Sequence, residues 1–225
     1  MKSFWLGIML VILSLGAKAA EVSSKEVERL HKEAKPALSP GAKAADSSSK
    51  EVERLHEEAK QAFFAADYAT ALAKWETALN HARTLDKKAD ISKFLVNLAA
   101  VNYSLGLYQK ALDYYQQAVV IDKELGDKSA ESADLSSLGL VYYNLGQYPN
   151  ALESYQQALA IQKEVADKNG QSNSLGNLGM VYDSLGEYHK ALEYYQQALA
   201  IKKEIGDSSG VANNLSNIGV AYYKL

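Results

Sequence analysis

A block of about forty residues recurs along most of this chain, and that recurrence narrows the folds open to it. Leu138-Gly139-Leu140-Val141-Tyr142 returns as Leu178-Gly179-Met180-Val181-Tyr182 and again as Ile218-Gly219-Val220-Ala221-Tyr222. In the same register Ala151-Leu152-Glu153 matches Ala191-Leu192-Glu193, and Tyr155-Gln156-Gln157-Ala158-Leu159 matches Tyr195-Gln196-Gln197-Ala198-Leu199. Blocks 131–170 and 171–210 agree at about 23 of 40 positions. A chain built this way stacks copies of one supersecondary unit, each touching mainly its neighbours. Such an array offers a long surface rather than a closed catalytic pocket.

Inside a block the apolar residues recur every three to four positions, which is the helical period, and alternation of period two is absent. Leu175, Leu178, Val181, Tyr182 and Leu185 share one face of a first helix. Gly186 follows as its terminator, because glycine enters the left-handed backbone region without steric cost. A second helix begins near Glu187 and carries Tyr188, Ala191, Leu192, Tyr195, Ala198, Leu199 and Ile201. It ends at Gly206, and Asp207-Ser208 can cap the next helix. Short loops of this kind make the two helices antiparallel neighbours. Gly139, Gly179 and Gly219 are expected to face inward with Ala111, Ala151 and Ala191, so that helix axes approach closely. Tyr108, Tyr148 and Tyr188 are expected where second helices begin, and Tyr115, Tyr155 and Tyr195 in the core.

The first residues differ. Lys2 precedes an uncharged, mostly apolar run from Phe4 to Leu15, and Ala17-Lys18-Ala19 supplies small residues before Ala20. This is the build of a signal peptide, residues 1–19, cleaved after Ala19. The run falls short of the roughly 20 residues that a spanning helix needs, so no membrane span is expected in the mature chain. Its removal would take the formal charge from −3 to about −5. The chain has no cysteine, which excludes disulfides, thiolate metal sites and lipidation after cleavage. A periplasmic or secreted location is the expectation. Charge is spread along the chain with no basic stripe, so nucleic acid is not an expected partner.

A shorter duplication lies between. Lys25-Glu26-Val27-Glu28-Arg29-Leu30-His31 is copied as Lys50-Glu51-Val52-Glu53-Arg54-Leu55-His56. The second copy runs on into Phe63-Phe64 and is read as the first helix of the array. The first copy runs into Pro36, whose ring cannot follow the helical path. Residues 20–46 are thus read as a partly helical linker, and residues 47–225 as four helix pairs plus a final unpaired helix.

The pattern Leu178-Gly179-x-x-Tyr182, Gly186-x-Tyr188, Ala191, Tyr195 and Ala198 resembles the tetratricopeptide repeat, a helix–turn–helix unit. The resemblance covers residues 50–225. It is to the longer-period subclass, about 40 residues, of kinesin light chains and bacterial exported proteins of this family, because Lys123, Lys163 and Lys203 stand near the place where the common repeat closes with proline. It implies an all-α fold, a right-handed α-solenoid of antiparallel helix pairs whose first helices line a concave groove, and a role as protein-binding scaffold. Carried over by position, the groove would present Asn97, Ser137, Asn177 and Asn217 in one row, and Ser104, Asn144 and Ser184 in a second. Tyr103, Tyr143, Asp183 and Tyr223 would form a third row, and Ala100, Leu140, Met180 and Val220 a fourth. An asparagine amide both donates and accepts, so a ladder of them can hold a partner's backbone whatever its side chains. Tyrosine and methionine would select those side chains.

Catalytic and metal-binding patterns are absent from the sequence. His31, His56, His81 and His189 have no HExxH spacing and are read as solvated surface. The leucine–glycine pairs lie inside helices rather than in phosphate-binding loops. No enzyme activity and no cofactor are expected, and the partner is a protein or peptide. The chain stops after Tyr222-Tyr223-Lys224-Leu225, where a first helix ends, leaving Leu215, Ile218, Ala221 and Tyr222 without a covering helix. That end is open to two readings: a fragment that targets or regulates a larger protein, by analogy one with a caspase-like protease domain, or an end that self-associates.

Overall fold

The computed structural model describes residues 42–225, with side chains from Ser49 onward. Residues 1–19, expected above to be a signal peptide, and residues 20–41 of the expected linker lie outside the described residues. Nine helices, and no strand, occur among them: α1 (Ala42–Phe64), α2 (Tyr68–Thr84), α3 (Lys88–Ser104), α4 (Tyr108–Leu125), α5 (Lys128–Asn144), α6 (Tyr148–Glu164), α7 (Lys168–Ser184), α8 (Tyr188–Glu204) and α9 (Ser208–Lys224). The class is all-α, a solenoid of helix pairs. Helix α1 starts at Ala42, so residues 42–46, assigned above to the linker, are helical. The chain divides into two compact units, with the division between Tyr114 and Tyr115 inside α4.

Two local devices set the helix length. First helices end in a left-handed glycine: Gly106, Gly146 and Gly186 have φ of 71°, 70° and 76°. The amides of Gly186 and Glu187 then bond back to the carbonyls of Asp183 and Tyr182, which closes the last turn. The loops ahead of α5, α7 and α9, and also the one between α1 and α2, place an aspartate before the next helix. Asp67, Asp127, Asp167 and Asp207 accept from the amides of Thr70, Ala130, Gly170 and Gly210, at 2.9–3.1 Å. Each satisfies an amide that has no partner within its own helix.

In the first unit α2 packs on both α1 and α3. Val52, Leu55, Ala59 and Phe63 of α1 are buried, as are Tyr68, Ala71, Trp75 and Ala78 of α2. The Phe63 ring lies 5.7 Å from Tyr68 and 5.9 Å from Trp75. His56 corrects the sequence reading. It is not solvated surface but half-buried: its Nδ1 accepts from the Trp75 indole at 3.0 Å, and its ring lies 5.5 Å from Phe94.

In the second unit α6 packs on α5 and α7, α8 packs on α7 and α9, and α5 touches α7 directly. Tyr155 is wholly buried and Tyr195 nearly so. Each ring lies over a glycine of the helix before it. A Cβ on Gly139 would stand 2.7 Å from Tyr155, and one on Gly179 would stand 2.6 Å from Tyr195. Gly219 departs from the expectation. It is exposed with nothing within 4 Å of where a Cβ would lie, because among the described residues no tyrosine-bearing helix covers that side of α9.

Candidate functional site

The surface proposed from sequence lies on the first helices, α3 in one unit and α5, α7 and α9 in the other. Helical geometry puts residues three and four apart on one face. On α7 this brings Asn177, Met180, Asp183 and Ser184 together, and on α5 it brings Ser137, Leu140, Tyr143 and Asn144 together. Neighbouring first helices are tied by their side chains. The Tyr143 hydroxyl meets Ser184 Oγ at 2.9 Å, and Lys224 donates to Asp183 Oδ2 at 2.5 Å. The second oxygen of Asp183 is buried without a hydrogen-bond partner. The Lys224 ammonium also sits 5.5 Å over the Tyr188 ring.

The four sequence rows fare differently. In the asparagine row, Asn177 is partly exposed and its amide is not engaged by the described residues. Asn217 is exposed on α9. Ser137 between them donates to the Ala133 carbonyl of its own helix at 3.0 Å. On α3, Asn97 is partly buried and its Nδ2 has no hydrogen-bond partner. The second row is spent on the fold: Ser104 bonds to the Ala100 carbonyl, Asn144 to the Leu140 carbonyl and Ser184 to Tyr143. The third row is divided. Tyr103 packs on Tyr108 at 5.4 Å and Tyr143 on Tyr148 at 5.7 Å, whereas Tyr223 is 92% exposed. In the fourth row Leu140 and Met180 are partly exposed and Val220 is exposed, while Ala100 is buried.

The second unit thus presents free amide groups beside flexible and aromatic apolar groups, and the charges of Asp183 and Lys224 cancel. Burial pushes the Tyr195 phenol up, so it stays neutral beneath this surface. A surface of this make-up presents amide and apolar groups, with Asp183 and Lys224 already paired.

Sequence reasoning missed a second feature, in the first unit. A cavity of about 280 Å³ lies between α1 and α3, lined by Glu53, His56, Lys87, Asp90, Lys93 and Phe94 among others. Its cations are already engaged: Lys87 donates to Ser49 at 2.8 Å, and Lys93 pairs with Asp90 at 3.1 Å. Because Nδ1 of His56 accepts from Trp75, the proton of the neutral ring sits on Nε2. Burial, and then Lys93 and Lys60, lower the His56 pKa to about 4. The sequence signal was the neighbourhood of Trp75 and Phe94, visible only once helices were paired.

Among the described residues no group of three or more His, Cys, Asp or Glu is placed to hold a metal ion, and no helix is long and apolar enough to cross a membrane. Among curated proteins none matches this chain. Solved structures resemble it at low identity. BtubC (BKLC) from P. vanneervenii superposes with a TM-score of 0.72 at 20% identity, over 95% of this chain and 84% of that one. Nearly identical repeats of a putative kinesin light chain from Podosopora anserina superpose with a TM-score of 0.66 at 22% identity, over 77% and 85%. A Rap protein complexed with Competence and Sporulation Factor superposes with a TM-score of 0.65 at 18% identity, over 77% and 52%. At such identities the likeness speaks to fold alone. Family models described as tetratricopeptide repeat match residues 56–127 and 129–204, in the register of the helix pairs. The chain belongs to the tetratricopeptide-repeat family, whose helix pairs form scaffolds for protein–protein interaction.

Proposed function

We propose that this protein is an exported scaffold that binds a partner's extended segment or helix along the first helices of its second unit. The observation that carries the reading is the state of Asn177: a partly exposed amide that the fold leaves unengaged, next to Met180 and between the exposed Asn217 and the partly exposed Leu140. Buried polar groups are normally satisfied within a fold, so a free amide at a structured surface is available to a ligand. The solved Rap complex, similar in fold, supports the idea that helix pairs of this kind can hold a factor. Its factor is not carried over to this chain.

Export rests on the sequence of residues 1–19, and a periplasmic or secreted location follows from it. The test has two arms. Fractionation followed by intact mass should find the chain outside the cytoplasm and beginning at Ala20; a cytoplasmic chain that retains Met1 refutes export. Affinity capture from the native envelope, repeated with Asn177→Ala plus Asn217→Ala, should lose partner recovery about tenfold with helical content unchanged. Equal recovery by the variant removes the asparagine surface from the account.

A further inference from the structure

The seam where each second helix meets the next first helix is polar in the second unit, at one register of the repeat. Asp122 and Asp134 occupy it first, Gln162 and Ser174 forty residues on, and Lys202 and Asn214 after that. All six are buried. The middle joint is satisfied as a neutral pair: Ser174 donates to Gln162 Oε1 at 2.8 Å, and Gln162 Nε2 reaches Ser136 at 3.3 Å. The last joint carries a cation that is neutralised, since Lys202 pairs with Asp207 at 2.9 Å and donates to Asn169 at 2.8 Å. The first joint has neither remedy. Two acids meet there: Asp134 is 2% exposed and Asp122 4%, the Asp122 side chain acts on that of Asp134, and Asp134 Oδ2 is buried with no partner.

An ionised carboxylate excluded from water and facing another acid is costly, and it takes up a proton instead. The charged groups that act on Asp134 are Asp122, on the last turns of α4, and Asp127, ahead of α5; both are acids. The cation next in sequence, Lys128, is held at 3.0 Å by Glu131, a buried acid one turn before Asp134 on α5. We propose that the joint between the last turns of α4 and helix α5 is a pH-responsive latch. With a proton on Asp134 the two carboxyls bind each other and the joint is closed. Loss of that proton leaves a buried anion against a second acid, and the joint loosens. The latch rests on burial and contact within the second unit and is independent of the export and groove readings.

The direction of the pH effect follows from linkage. Burial, then Asp122, hold the Asp134 carboxyl well above its ordinary value of 3.8, so the closed joint binds a proton that the open one releases. Stability from this joint is complete below the open-state value and falls as pH rises toward the closed-state one. Hydrogen exchange of the full chain, corrected for intrinsic rates, reads the opening of α5 against that of α7 and α8 between pH 5 and pH 9. In the native sequence the α5 opening constant should rise by up to about tenfold per pH unit within that window and then level off, while α7 and α8 stay flat. Asp134→Asn should abolish the slope. Asp122→Gln with Asp134→Ser, which installs the pair already present at the middle joint, should do the same if the single variant does not fold. A flat α5 profile in the native sequence, or a slope that survives in the folded variant, overturns the latch.

Discussion

One position of the repeat carries opposite demands in different copies. Gly139 and Gly179 lie under the rings of Tyr155 and Tyr195, closer than any Cβ could stand, while the same position at Gly219 is open. Gly179→Ala must push a buried ring and should cost about 1–3 kcal/mol, the usual range for overpacking. Gly219→Ala meets nothing, and relieving a glycine within a helix should gain about 1 kcal/mol. Urea denaturation of the two variants at one pH checks the pair. Effects of the same sign would show that the glycine is not there to admit a ring. His56 makes a related point about what a sequence hides. Its copy in the duplication, His31, gave the same local sequence, and local sequence suggests a solvated helix face. What buries His56 is Trp75, nineteen residues on, together with Phe94 on the next first helix. Neither contact has a spacing that a scan along the chain would register.

At the scale of elements, period and punctuation were legible, because helical spacing, glycine terminators and aspartate caps are local chemistry. Gly126 and Gly206 end second helices at φ of 70° and 71°, and the intervening copy places Ala166 at the same point, at φ 55°. A Cβ in the left-handed region costs about 1–2 kcal/mol, part of which glycine returns through its freer unfolded chain. Ala166→Gly should therefore stabilise the second unit by roughly 0.5–1 kcal/mol, read as a higher urea midpoint with an unchanged m-value. The polar joints were not read from the sequence, though a signal existed. Asp122, Gln162 and Lys202 each fall four residues after a core alanine, Ala118, Ala158 or Ala198, in the stripe that faces inward. Their differing chemistry looks like surface drift until that register is applied. The groove positions came from family resemblance rather than from periodicity. The structure shows which of those polar groups the fold consumes, as with Ser104, Asn144 and Ser184, and which it leaves free.

In the molecule as a whole, an array held by nearest neighbours has no shared core to average out a weak place. Within the second unit this puts α9 at a disadvantage that can be sized. Helix α7 is covered by α6 on one side and α8 on the other, whereas among the described helices α9 packs mainly on α8, with Lys224 reaching Asp183 of α7. The same repeat position is 5% exposed at Leu135, 4% at Leu175 and 50% at Leu215, and Tyr222 is 58% exposed. Full burial of one such side chain is worth about 1.5–3 kcal/mol, so two that are half-buried forgo roughly 2–3 kcal/mol of local stability. That corresponds to opening on the order of 30–100 times more often, at about 1.4 kcal/mol per tenfold. Amides of α9 should exchange faster than those of α7 by that factor, in the full chain at low micromolar concentration and at a pH where α5 is closed. Protection equal to that of α7 would mean the apolar face of α9 is covered in solution. Repeating the measurement on dilution then identifies the cover, because protection that falls with concentration belongs to a second copy of the chain, and protection that persists belongs to the chain itself.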